Sequence, residues 1–121
     1  MDRRIIDMKI INETDTETLL TTFVAGWGWH DGASVLRMLK PGKRLRLIRE
    51  AGNKHDVNAV ALYFSNTKIG YIPKKENGAI AKLMDGGMGS SLAACVSAVE
   101  QVAQNQTVVK FIIYKIQNYG E

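Results

Sequence analysis

Residues 57–72 constrain the fold most. A β-branched and aromatic run from Val57 to Phe64 is followed by the polar triplet Ser65-Asn66-Thr67, and then by the apolar return Lys68 to Ile72. Two such runs separated by a short turn read as a β-hairpin, because a tight turn joins only antiparallel strands. Pro73 ends the hairpin and suits the first turn of a helix, where its missing N–H costs nothing.

Other strands follow by the same reasoning. Leu19 to Trp29 is rich in β-branched and aromatic residues and reads as a strand ending in the glycine-punctuated segment Gly26-Trp27-Gly28-Trp29-His30-Asp31-Gly32. Lys43 to Arg49 alternates, with Leu45 and Leu47 on one face and Arg44 and Arg46 on the other. Thr107 to Ile116 carries the Val, Phe, Ile and Tyr content of a strand. Residues 91–103 alternate as a strand would, although their alanines also permit a helix; the strand reading is preferred. Two short helices are expected. One is Val35–Leu39, capped by Ser34 and stopped by Pro41-Gly42; the other follows Pro73, with Ile80, Leu83 and Met84 on one face and Gly86-Gly87 at its end. Residues 1–18 are a loose arm or an extra strand, and 19–121 form the domain. The fold class is therefore mainly β with two short helices. Six short strands with short turns close best as a small OB-like antiparallel β-barrel.

Composition narrows the functional classes. The chain has 121 residues, enough for one domain with one core. No apolar run approaches the roughly 18 residues of a membrane span, and charged residues interrupt the N-terminus before any export signal. Cys95 is the only cysteine, which excludes an internal disulfide and fits a reducing compartment, so the cytoplasm is expected. A monomer is expected rather than an oligomer. The net charge of +4 is concentrated in residues 32–82, where eleven bases face three acids. Clustered cations gain free energy by displacing the counterions around phosphates. A solvated surface is the plainer alternative.

Catalytic templates fail. One cysteine and two histidines do not make a zinc site, and the glycines at 26 and 28 lack the Lys-Ser or Lys-Thr helix start of a phosphate loop. No serine sits in a nucleophile elbow. His55-Asp56 with Glu50 nearby lacks a complete set of catalytic roles, so a binding domain without cofactor or metal is expected rather than an enzyme.

Three segments point to binding. Trp27, Trp29 and His30 lie among glycines, where exposed aromatics stack on bases; as strand neighbours on one face, at least one tryptophan should be buried. Pro73-Lys74-Lys75 places cations at a helix start, where a docked anion such as phosphate relieves the clash with the dipole; swinging into water does so too. In the turn from Arg49 to Val60, Asp56 either fixes the turn or accepts a hydrogen bond from a ligand hydroxyl.

Taken together, Leu45-x-Leu47-x-Arg49-Glu50-x-x-Asn53-x-x-Asp56-x-Asn58-Ala59-Val60, then Ile69-Gly70-Tyr71-Ile72-Pro73-Lys74 and the helix through Ala81, Leu83 and Asp85, closely resemble the HIRAN domain. That domain is found in eukaryotic DNA-remodelling ATPases and as a small stand-alone bacterial protein. The resemblance implies an OB-like barrel that holds single-stranded DNA at a free 3′ end. Aromatic side chains there sandwich the terminal base and an aspartate meets the 3′-hydroxyl. Carried over by position, the aspartate is Asp56, the aromatic before it is His55, and the first aromatic of the earlier segment is Trp29, followed by His30. Gly28 stands where the eukaryotic segment has an arginine. The phosphate contacts then fall to Arg49, Lys54, Lys74 and Lys75, with Tyr71 close by. The alternatives are a protein-interaction domain recruiting a repair or replication partner through a strand edge, and a metal-dependent nuclease.

Overall fold

The computed structural model describes residues 16–116. Six strands are present: β1 (Thr16–Phe23), β2 (Arg44–Arg49), β3 (Val60–Phe64), β4 (Thr67–Tyr71), β5 (Leu92–Ala103) and β6 (Gln106–Ile116). They form one sheet in the order β1-β6-β5-β2-β3-β4, with every pair antiparallel. The sheet curls into a half-barrel of the OB-like type. Its two outer strands meet just beyond β1, where Ala25 and Tyr71 exchange backbone hydrogen bonds of 2.8 and 2.9 Å. Gly70 makes this approach possible. Its φ is +153°, and a Cβ there would lie 2.4 Å from the Ala25 carbonyl oxygen.

Alternation places the core. In β2, Leu45 is buried between exposed Arg44 and Arg46. Val60, Leu62, Ile69, Ile72, Val96, Val109, Phe111 and Ile113 are essentially excluded from water. Large apolar side chains buried in this way contribute roughly 1.5–3 kcal/mol each. Ile80 and Ala81 join the same cluster from helix α1 (Gly78–Leu83), and Val35 and Leu39 join it from a 3-10 helix at Asp31–Met38 and the residue after it. On the other face of β5 and β6, Ala93, Cys95 and Tyr114 form a smaller cluster. Burial pushes the Cys95 thiol up, with Arg44 pulling the other way.

Several boundaries differ from the sequence expectations for physical reasons. The first strand stops at Phe23 rather than Trp29, because Gly26 adopts a left-handed φ of +75° and starts a 3-10 turn, Trp27–Trp29. The helix expected at Val35–Leu39 is a 3-10 helix that begins at Asp31. Ser34 does not cap it; its hydroxyl donates back to the Asp31 carbonyl at 2.7 Å, a local bond that competes with a regular helix. The third strand begins at Val60, since Asp56 accepts the Asn58 N–H and holds residues 56–58 in a turn. The hairpin after β3 has a two-residue loop, Ser65-Asn66, with Ser65 at a φ of +55°. After Pro73 comes a single 3-10 turn, Lys74–Glu76, and only then α1. The strand preferred for residues 91–103 is present from Leu92 to Ala103, and Ser91 ends a 3-10 turn before it; β5 pairs along nearly its whole length with β6. Of the arm expected at residues 1–18, Thr16 to Thr18 belong to β1; residues 1–15 and the end of the chain after Ile116 lie outside the described residues.

Candidate nucleic-acid interface

The aromatic wall is built by a tight turn. The Trp29 N–H donates to the Gly26 carbonyl at 2.9 Å, closing the 3-10 turn. Successive residues of such a turn rotate by about 120°, so Trp27 and Trp29 leave it in different directions instead of sharing a strand face. Trp27 folds under and packs on the core margin, directly over Gly32, where a Cβ would lie 2.3 Å from its ring. Trp29 is left 88% exposed. His30 turns back and sets its ring edge against Tyr71, with centroids 5.4 Å apart at 62°. Burial, then the Lys68 charge, hold the His30 imidazole below its usual pKa of 6.5, so it is neutral at neutral pH.

The facing wall is the loop between β2 and β3, which is held by its own side chains. The Asn53 carbonyl oxygen Oδ1 accepts the backbone N–H groups of His55 and Asp56 at 2.8 and 3.1 Å, and its amide donates to Glu50 at 3.1 Å. Asp56 Oδ1 accepts the Asn58 N–H at 2.9 Å, and Oδ2 accepts the Asn77 side-chain amide at 2.8 Å. The Lys74 ammonium donates to the His55 carbonyl at 3.3 Å. This wall is a braced turn whose carboxylate is anchored by Asn58 and Asn77.

Between the walls, Tyr71 forms part of the floor. Its hydroxyl donates to Glu50 at 2.8 Å and accepts from Lys68 at 2.6 Å, while Lys68 also donates to Glu50 at 2.7 Å. Burial pushes the Glu50 carboxyl up, but the hydrogen bonds from Lys68, Tyr71 and Asn53 outweigh it, and the net shift is downward. For Lys68, burial acts downward and the bonds to Glu50 and Tyr71 reverse it, leaving the ammonium raised. The Tyr71 hydroxyl is thus committed to structure. What it offers a ligand is its ring.

These walls enclose an open cleft of about 950 Å³. Six of the residues expected from sequence line it together: Trp29, His30, His55, Asp56, Tyr71 and Lys74. Lys54 and Lys75 are exposed next to lining residues. Arg49 does not line the cleft. It holds Asp85 through two bonds of 2.9 and 3.1 Å, donates a third to the Ala59 carbonyl, and its side chain is 15% exposed. That arginine fastens the loop to the segment after α1. Sequence reasoning missed the role of Asn77, which is 1% exposed. A polar residue after Pro73-Lys74-Lys75-Glu76 resembles surface, and nothing local signals that Asp56 needs its amide. The Glu50–Lys68–Tyr71 network was equally hidden, since its members lie 18 and 21 residues apart in the chain. Among the described residues no group of three or more His, Cys, Asp or Glu is placed to hold a metal ion, and no helix is long and apolar enough to cross a membrane.

The cleft's two walls come from the segments that carried the sequence resemblance, and the comparisons bear on it directly. A sequence profile for the HIRAN domain matches residues 19–115. The chain belongs to the HIRAN domain family. HIRAN domains are known as nucleic-acid-binding modules, not as catalysts. Among solved structures, this HIRAN domain is similar to a protein from Lactobacillus plantarum at 30% identity, with a TM-score of 0.72, covering 85% of this chain and 97% of that one. It also resembles the HIRAN domain of human HLTF at 19% identity, with a TM-score of 0.60, covering 87% of this chain and 84% of the other; at that identity the likeness is one of fold. No curated protein matches the chain.

Proposed function

We propose that this HIRAN domain binds single-stranded DNA at a free 3′ end, in the setting of repair or replication, where such ends are exposed. The observation that carries the proposal is an almost fully exposed indole, Trp29, in one cleft with the carboxylate of Asp56 and the ammonium of Lys74. Trp29 and His55 stack on the terminal base, at roughly 1–3 kcal/mol for each aromatic. A carboxylate repels phosphate but accepts a hydrogen bond from a hydroxyl, which suits Asp56 to the terminal sugar. Lys74 meets the adjacent phosphate, with Lys54 and Lys75 beside it. Arg49, already spent on Asp85, supports the loop instead.

The test is fluorescence anisotropy with short single strands ending in a 3′-hydroxyl or a 3′-phosphate, and with a blunt duplex. The hydroxyl-ended strand should bind tightest. Equal binding to all three would remove end recognition.

A further inference from the structure

Asn77 is the one buried amide among the described residues, and it stands at the junction of two elements. Its backbone carbonyl accepts the Ala81 N–H at 2.9 Å, starting α1, while its side-chain amide donates to Asp56 Oδ2 at 2.8 Å. The Asn58 N–H occupies Oδ1. Each carboxylate oxygen has room for two donors. One site on each is filled, Oδ1 by the Asn58 N–H and Oδ2 by the Asn77 amide, which leaves acceptor capacity on a residue that lines the cleft. Without Asn77, the carboxylate would be held through Oδ1 alone and could rotate about χ2, a broad torsion.

We infer that Asn77 is a positioning residue: through Asp56 it sets the direction in which a terminal hydroxyl must donate, and so makes the cleft discriminate a 3′-hydroxyl from a 3′-phosphate. This inference rests on the proposed end recognition and deepens it. Asn77 never touches the nucleic acid. Its effect falls on selectivity, while stacking on Trp29 and the contacts of Lys74 are unchanged.

The experiment measures three affinities by anisotropy for the parent and for Asn77→Leu, which keeps the branched shape, at a larger volume, and removes the donor. The probes are a 3′-hydroxyl strand, a 3′-phosphate strand and a circular single strand without an end. In the parent, the hydroxyl end should be preferred. In Asn77→Leu that preference should fall roughly tenfold, as expected for one misdirected hydrogen bond to a charged group, with the circle bound as before. A parent with no end preference overturns the proposed function and this inference with it. A parent that discriminates and an Asn77→Leu variant that discriminates equally well overturns the role of Asn77 alone. Should the variant not fold, the parent suffices. The Asn77 side-chain amide resonances should shift on adding the hydroxyl-ended strand and stay in place with the phosphate-ended one. Identical responses to the two strands defeat the inference.

Discussion

Trp29 leaves a large apolar ring in water, which a fold does without compensation only at modest cost but gains nothing by. Two residues earlier, Trp27 shows the same side chain put to structural use over Gly32. The contrast separates their mutants. Trp29→Ala should weaken single-strand binding by the 1–3 kcal/mol typical of a stacked base, about 5- to 150-fold, with an unchanged thermal midpoint. Anisotropy paired with thermal melts reads both. Titratable groups at the cleft add a pH signature. His30 has a folded pKa below 6.5, so the unfolded chain takes up its proton first. Its contribution is complete above pH 6.5 and disappears as pH falls through the folded value. Glu50, also lowered, contributes above 4.5 and is lost as pH drops through its folded value, whereas raised Lys68 contributes below 10.5 and is lost as pH climbs through its own. Urea midpoints should therefore sag in two steps on acidification. His30→Gln should flatten the first step and leave the second.

At the scale of elements, strands were legible in the sequence because their signal is local: alternation in Arg44 to Leu47 and β-branching in Val60 to Phe64 need only neighbours. The aromatic segment was misread for the opposite reason. Composition alone says strand for Leu19 to Trp29, and only the left-handed backbone of Gly26 turns its last residues into a 3-10 turn. Six of the nine expected site residues line one cleft because motif positions fixed them, while the Arg49–Asp85 pair and the Asn77–Asp56 bond depend on tertiary distances that no periodicity encodes. The turn's dependence on Gly32 can be measured. Gly32→Ala places a methyl against the Trp27 ring, and overpacking of that kind costs about 1–3 kcal/mol. Chemical denaturation should show that loss, together with weaker binding as the turn carrying Trp29 shifts.

For the whole molecule, the excess of positive charge in residues 32–82 sets how binding responds to salt. If Lys54, Lys74 and Lys75 each neutralise one phosphate of a single strand, log affinity should fall with log salt at a slope of about −2. Gly28 offers a direct way to steepen it. A Cβ there meets nothing within 4 Å, so Gly28→Arg adds a cation without a clash at its Cβ. Affinity should rise severalfold at low salt, and the slope should steepen by about 0.7. A titration across salt concentrations that shows no change in slope would count against a phosphate beside residue 28. The seam at Ala25 and Tyr71 carries one more implication. Both residues line the cleft, so the link that draws the sheet's outer strands together is also part of the pocket lining. Anything lodged there acts as a staple across the gap. Occupancy should slow hydrogen exchange at those two amides before it slows exchange in the core, making the stapled seam the most sensitive gauge of a filled site.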